Sequence, residues 1–299
     1  MKAKALVLLS GGLDSRLAVK LLEEQLGSEN VQALYFNLPF GSGCCSDKFC
    51  VIRFVQKELV KLHIIDLTSG KLFQEYLNII KHPKYARGAG LNPCIDCHIF
   101  MLKKAKEFAS GLGIDIIATG EVLGERPLSQ TKKALFIVDK EVGFHILRPL
   151  SAKLLQETEW EKSGVINRDK LLDIQGRRRK TQLELAKKYN INFPNPGGGC
   201  LLCEKGYCKK LKEILNNSAL DYNDIKLLSI GRHFLASKII LGRNEKENLI
   251  LEKEPGILVI PEQPGPSALI KDKNKDLIEE AKELIRKYSK NKIKGFEIK

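Results

Sequence analysis

The sequence predicts an α/β fold, a doubly wound parallel sheet followed by a smaller C-terminal α+β module. Three observations predict it. Short apolar runs alternate with amphipathic stretches through the first half of the chain. A glycine turn, Ser10-Gly11-Gly12-Leu13-Asp14-Ser15, separates the first such run from the first amphipathic stretch. After about residue 175 the alternation stops and short β-rich pieces take over.

Taken in order, residues 5–9 form a short apolar run of the kind a buried strand shows. Residues 16–26 follow as a helix, with Leu17, Ala18, Leu21 and Leu22 on one face. Further strands are expected at 31–36 and 62–67, with helices at 45–59 and 69–81. Residues 100–112 carry Met101, Ala105, Phe108 and Leu112 at helical spacing. A fourth strand is expected at 114–118 and a fifth at 143–147. The basic run Arg177, Arg178, Arg179, Lys180 opens a helix reaching 189. The proline- and glycine-rich stretch 193–200 suits neither helix nor strand. Beyond it, β-pieces are expected at 226–230, 238–241, 249–251 and 257–260, and a last helix at 276–288. This gives a catalytic domain at 1–185, a cysteine-bearing glycine-rich loop and linker at 186–209, and a module at 210–299.

The 299 residues are 43% apolar, so a core can form, and the formal charge is +14. Such an excess favours polyanions, although a lysine-rich surface gives the same number. No run approaches the ~20 apolar residues of a membrane span. Residues 5–9 are too short for a signal-peptide core. A cytoplasmic, non-membrane protein is expected, in which eight cysteines point to metal or redox chemistry rather than structural disulfides.

The glycine turn reads as a phosphate loop. Two glycines let backbone N–H groups approach an anion, and the helix that follows adds free donors and partial positive charge. Ser10 and Ser15 supply hydroxyl donors. Asp14 cannot sit against phosphate without a cation, which implies magnesium. The bland alternative is a glycine turn with an aspartate helix cap. The ends of parallel strands at a switch point bind ligands, which brings Thr119, Gly120 and Glu121 beside the loop. Arg126, Ser129 and Gln130 are candidates for nucleotide or tRNA contact, and Arg148 for a phosphate contact.

The six-residue string resembles the PP-loop of the ATP pyrophosphatase superfamily. The residues from Thr119 through Thr131 resemble the TGE-x-LGQ-x-x-SQT signature of tRNA 4-thiouridine synthetases, with Glu125 where the signature has glutamine. The Leu147-Arg148-Pro149-Leu150 segment matches their LRPL, and Asn92-Pro93-Cys94 resembles tRNA 2-thiouridylases. The resemblance spans roughly residues 4–185. It implies a Rossmann-like, adenine nucleotide alpha hydrolase-like fold and ATP-dependent thiolation of a tRNA uridine through an adenylate. The implied ATP contacts are Ser10, Gly11, Gly12, Leu13, Asp14, Ser15, Phe36, Gly120, Gln130 and Arg148. Asp14, Cys94, Cys97 and Cys200 are the implied catalytic residues. The alternative is another PP-loop adenylating ligase forming an amide or C–N bond.

The thiolation enzymes imply a cysteine trio, assigned to Cys94, Cys97 and Cys200, that holds a 4Fe-4S cluster with one iron open for hydrosulfide. A Cys₄ zinc site with Cys203, or a persulfide couple, stays open. Glycines 197–199 are expected to carry Cys200 over the nucleotide. Cys44, Cys45 and Cys50 fit no usable spacing and read as small apolar residues, Cys208 lies just beyond the second C-x-x-C, and His98 reads as a helix-surface residue.

Expected partners are tRNA and a donor of sulfide or persulfide, and a homodimer is considered as the assembly. The resemblance starts at the loop, and the ferredoxin-like and THUMP domains that precede it in the synthetases are expected to be absent. The tRNA grip is therefore expected from the C-terminal module or from a separate THUMP-type subunit. Arg177, Arg178, Arg179 and Lys180 are the favoured RNA contacts. The stretch around Arg232, His233, Lys238 and Arg243 resembles the RNA-associated NFACT-R module and offers a phosphate track.

Overall fold

The computed structural model describes residues 3–41, 48–85, 90–193, 199–216, 220–271 and 274–299. Cys44, Cys45, Gly197 and Gly198 lie outside the described residues, as does the side chain of Cys50. The chain divides into two compact units, Met1–Cys203 and Glu204–Lys299.

The first unit is built on four parallel strands, β1 (Ala5–Leu8), β2 (Val31–Asn37), β3 (Lys61–Asp66) and β4 (Ile116–Thr119). Their order in the sheet is β3-β2-β1-β4. The chain steps outward from β1 to β3, then returns to lay β4 on the other side of β1. That reversal creates a crevice at the carboxyl ends of β1 and β4, where doubly wound sheets bind ligands. The helices are α1 (Leu13–Leu26), α2 (Lys48–Glu58), α3 (Gly70–Lys81), α4 (Cys94–Gly111), α5 (Lys132–Val142), α6 (Glu159–Lys162) and α7 (Lys180–Lys188). Strand residues Ala5, Leu6, Val7, Ala33 and Leu34 are all buried, because helices cover both faces. This is why the strands read as runs rather than alternations.

Several boundaries differ from the sequence reading. Helix α4 starts at Cys94 instead of residue 100, so both cysteines of the first C-x-x-C are helical. The fifth strand is reduced to a single bridge between Leu147 and Ala118. Gly143 ends α5 in a left-handed conformation, and Pro149 follows two residues after the bridge without an N–H to extend it. Helix α5, absent from the sequence reading, is capped by the Thr131 hydroxyl accepting from Ala134 N at 3.2 Å.

The second unit comprises α8 (Lys205–Ile214), α9 (Tyr222–Leu227), β5 (Arg232–Phe234), β6 (Ile239–Leu241), α10 (Glu245–Leu251), β7 (Ile257–Pro261), β8 (Ala268–Ile270), α11 (Ile278–Tyr288) and β9 (Phe296–Ile298). The strands are antiparallel in the order β5-β6-β8-β7-β9. Ala281 and Ile285 of α11 join the core formed with β6, β7 and β8. The β-pieces expected at 226–230 and 249–251 are instead the ends of helices. Asp221 and Asp224 form a capping box at the start of α9, and Asn244 caps α10 by accepting from Glu247 N at 3.0 Å. Short apolar runs do not by themselves separate strand from helix. Among the described residues, no helix is long and apolar enough to cross a membrane.

Candidate active site

The loop between β1 and α1 is shaped by bonds within itself. Gly11 takes φ 87, a conformation costly for any residue with a Cβ. The Ser15 hydroxyl donates to Gly12 O at 2.9 Å, and Ser10 Oγ lies 3.3 Å from Ser15 Oγ. Arg16, buried beneath, donates from Nε to Gly11 O at 2.8 Å and from Nη1 to Asn192 O, with its guanidinium over the Phe54 ring. Gly120, just past β4, is the second constraint. A Cβ there would come within 2.4 Å of Ser15 N and 2.5 Å of Asp14 C. The loop can therefore press against the end of β4 only because residue 120 is glycine.

The crevice so formed is a cavity of about 340 Å³. Ser10, Gly12, Asp14 and Ser15 line one side, with Phe36, Gly120 and Gln130. Helix α4 supplies Cys94, Cys97, His98, Met101 and Leu102, an i, i+3, i+4, i+7, i+8 stripe turned to the cavity. Cys200 and Cys203 line it from the following segment. Backbone bonds hold that segment. Leu91 N and Asn92 N both donate to Leu202 O, at 3.0 and 3.1 Å, and Leu201 N donates to Phe40 O at 3.0 Å. The two C-x-x-C pairs, about a hundred residues apart in sequence, thus face one space.

Cys94 and Cys97 sit in surroundings that favour the protonated thiol. Burial pushes the Cys97 thiol well up, and its Sγ lies 3.4 Å from the hydroxyl of the fully buried Tyr76. Burial also raises the Cys94 thiol, with Cys203 adding to the rise and Arg126 opposing it. Among the described residues, no three His, Cys, Asp or Glu side chains already converge on a point able to hold a metal ion.

A chain of ion pairs runs inward from the cavity wall. His98 Nδ1 is 2.8 Å from Glu121 Oε1, and Thr119 Oγ1 donates to Glu121 Oε2 at 3.0 Å. Arg148 Nε donates to Glu121 Oε2 at 2.9 Å, and its Nη2 to Asp139 Oδ1 at 2.8 Å. Burial disfavours ionisation of Glu121, but Arg148 and His98 outweigh it and hold the carboxyl well below its ordinary range. The sequence reading puts Arg148 at the ATP phosphates, and the structure corrects it. The side chain is 2% exposed and its guanidinium is occupied by these two carboxylates, behind the cavity wall rather than on it. It positions Glu121. His98, expected on the helix surface, instead faces the cavity with its ring fixed by Glu121. Recognising Pro93 as the residue opening a helix would have placed it, since His98 is one turn beyond Cys94.

Asp14 belongs to a second charged group, with Arg179 and Glu125. Its Oδ2 is 3.7 Å from Arg179 Nη2, which is also 3.3 Å from Glu125 Oε1. Asp14 Oδ1 is inaccessible and makes no hydrogen bond among the described residues. Burial, then the nearby Glu125 charge, push the Asp14 carboxyl up to about 6, while Arg179 pulls the other way. The basic run, which the sequence reading assigns whole to RNA, is split. Arg179 faces the cavity, whereas Arg177, Arg178 and Lys180 are exposed. Gln130 accepts from Arg126 N through Oε1 at 3.1 Å, which closes the turn carrying Glu125. Gly11 and Leu13 shape the loop without lining the cavity.

In the second unit, His233 does not track a phosphate backbone. Its Nδ1 is 3.0 Å from Ser237 Oγ and its Nε2 2.8 Å from Ile230 O, and burial, with Lys210 nearby, lowers it to about 4. Arg243 is bound to Glu247 through Nε at 2.9 Å. Arg232 lies over the Tyr288 ring at 4.9 Å, and Lys238 is exposed.

A parallel sheet in the order 3-2-1-4, with a glycine loop clasped between β1, α1 and the end of β4, defines a Rossmann-like PP-loop protein. The chain belongs to the family described as thiamine biosynthesis protein (ThiI), whose model matches residues 1–157. It is 33% identical over 151 residues to a probable tRNA sulfurtransferase of Thermoanaerobacter sp. (strain X514), covering 49% of this chain and 36% of that protein. It is 29% identical over 181 residues to the tRNA-specific 2-thiouridylase MnmA of Sulfurimonas denitrificans, covering 56% and 51% respectively. The chain thus spans about a third to a half of these curated relatives' length. Among solved structures it is similar to the U34-tRNA thiolase NcsA from Methanococcus maripaludis with its 4Fe-4S cluster. That match has a TM-score of 0.37 and 16% identity, over 78% of this chain and 74% of that one.

Proposed function

We propose that this chain uses ATP to adenylate a uridine carbonyl oxygen of tRNA and replaces that oxygen with sulfur, giving 4-thiouridine. The observation that carries the reading is the shared cavity, with a phosphate loop on one side and Cys94, Cys97, Cys200 and Cys203 on another. An adenylating ligase that forms an amide has no use for four thiols beside its nucleotide. The names borne by the relatives, tRNA sulfurtransferase and tRNA-specific 2-thiouridylase, support the same chemistry.

The uridine oxygen attacks the α-phosphorus, and the bond to pyrophosphate breaks. Sulfur then adds to the ring carbon, and AMP departs with the original oxygen. Backbone N–H groups of residues 11–15 and the N-terminus of α1 bear the phosphate charge, and catalysis of this step is largely positioning. The buried Asp14 Oδ1, which makes no hydrogen bond among the described residues, would hold a magnesium ion, and that ion would supply charge neutralisation. Glu121 fixes the ring of His98 on the cavity wall next to Cys97.

The soft donor set of Cys94, Cys97 and Cys200, lining one cavity, fits a 4Fe-4S cluster in chemistry. Such a cluster supplies an iron able to carry sulfide. The exposed Arg177, Arg178 and Lys180 are proposed tRNA contacts, with a THUMP-type subunit as a further grip.

The test is anaerobic purification with assay of iron, labile sulfide and zinc, followed by incubation with tRNA, ATP, magnesium and sulfide. Nucleosides are then identified by mass spectrometry. ATP-dependent thiouridine, lost in Cys97→Ser, is expected. Iron-loaded protein that binds ATP yet leaves tRNA uridine unthiolated with both sulfide and a persulfide donor sinks the reading. Zinc in place of iron sinks the cluster alone.

A further inference from the structure

Arg148, behind the cavity wall, and Arg179, on it, are held in opposite ways. Arg148 makes three bonds to carboxylates at 2.8–3.1 Å and is 2% exposed, the geometry of a finished structural ion pair. Arg179 is 28% exposed, and a single nitrogen, Nη2, is shared between Glu125 at 3.3 Å and Asp14 at 3.7 Å. Both distances are long for charge-assisted hydrogen bonds, whose usual range is ~2.7–2.9 Å. The remaining oxygen of Asp14 has no partner among the described residues. This guanidinium is underused where it sits.

Its position is nonetheless built. Leu123 and Gln175 form a parallel bridge, and Gly176 N donates to Leu123 O at 2.7 Å. Gly176, at φ 80, turns the chain there into the residues that precede α7. Helix α7 in turn packs on α1, the helix that begins in the phosphate loop. The consequence is that Arg179, the residue preceding α7, faces the same cavity as Ser10, Gly12 and Ser15. Among the described residues the cavity lining contains no lysine, and Arg126 is its other arginine. A triphosphate entering this space brings several negative charges, and the loosely held guanidinium is a cation beside the loop able to change partner.

We propose that Arg179 is a direct ligand of the nucleotide's phosphates, exchanging its long contacts to Glu125 and Asp14 for phosphate oxygens. This rests on the reading of the cavity as an ATP site, though not on thiolation. It also gives Glu125 a function: the carboxylate competes with phosphate for Arg179, so that release of the nucleotide's phosphates is met by a waiting partner.

The test is equilibrium binding of ATP and of adenosine to the full chain, with magnesium chelated so that neither carboxylate is masked. Arg179→Gln is expected to weaken ATP about tenfold or more and to leave adenosine unchanged, the loss of a charge-assisted hydrogen bond. Arg179→Lys is expected to fall between, and serves if the glutamine variant folds poorly. Glu125→Gln frees the guanidinium and is expected to tighten ATP severalfold. A purely structural Arg179–Glu125 pair predicts the opposite pattern, with both variants weakening ATP together or neither changing it, and either result overturns the proposal. Wild-type chain that binds ATP alongside an unchanged Arg179→Gln refutes this inference alone. Wild-type chain that binds no ATP refutes the ATP site as well.

Discussion

At the scale of single residues, the site stores its tension in Asp14. Its carboxyl is pushed up to about 6, by burial first and by Glu125 second. The folded chain therefore holds this proton more tightly than the unfolded chain, whose aspartate titrates near 3.8. Stability from this group is fully present below about pH 4 and is lost as pH rises through about 6, on the order of 3 kcal/mol at most. A cation on Asp14 reverses the sense, since it binds the ionised form. The expected outcome is that Asp14→Asn, measured by urea unfolding without ligand, is more stable than wild type at pH 7.5 and little different at pH 4. The same variant loses magnesium-dependent ATP binding. An Asp14→Asn variant less stable than wild type at pH 7.5 contradicts the strain assigned here. Stability that rises as the site is destroyed is the pattern expected of a functional residue.

At the scale of elements, what the sequence disclosed followed how local the signal was. Strands buried on both faces appear as apolar runs, so β1 to β4 were legible from residues 5–9 onward. The phosphate loop was legible because its glycines and serines are contiguous. The shortening of the fifth strand was not legible, because the limit on it comes from Pro149 and from a left-handed turn at Gly143 acting together on one bridge. His98 was hidden because the apolar periodicity places the start of α4 six residues late, which obscures its spacing from Cys94. Arg179 was lost within a run of four cations. The element that turns it inward is a backbone bridge between Leu123 and Gln175, fifty-two positions apart, and no local pattern announces that. Arg148 looked like a phosphate ligand because no local pattern pairs it with Glu121 across the sheet end or with Asp139 on the preceding helix. The split of the run also sharpens what its outward part should do. Exposed Arg177, Arg178 and Lys180 present three cations at the start of α7. Replacing all three with glutamine is expected to weaken tRNA binding and to flatten the dependence of log affinity on log salt. The slope should fall by about 0.7–0.9 for each phosphate no longer neutralised. ATP binding should stay at the wild-type level, because these side chains do not line the cavity. An unchanged salt slope, measured by filter binding across a salt series, would show that tRNA is held elsewhere.

At the scale of the whole molecule, the division into two units has a direct consequence for where the chemistry resides. Every described residue lining the nucleotide and thiol cavity falls between Leu8 and Cys203. That is within the first compact unit. This unit has its own core, joining Leu17, Leu22, Tyr35, Phe54, Ile116 and Leu147 among others. The second unit has separate clusters around Ile239, Val259 and Ile285 and around Leu258 and Leu269. A segment with a contiguous core and its own hydrogen-bonded sheet meets the ordinary conditions for folding alone. Residues 1–203 produced by themselves are therefore expected to unfold in one cooperative transition and to bind ATP within about threefold of the full chain, roughly 0.7 kcal/mol. The thiols go with it, since Cys94, Cys97, Cys200 and Cys203 all lie inside the boundary, whereas Cys208, buried in the second unit, does not. Iron uptake per chain should accordingly be the same for the truncated and the full protein under anaerobic reconstitution. If the truncated chain folds but takes up no iron and binds no ATP, residues 204–299 contribute to the site itself, and the cavity described here is incomplete without them. If it binds ATP and iron but loses affinity for tRNA, the two units divide the labour, one holding the chemistry and the other the polyanion that a formal charge of +14 favours.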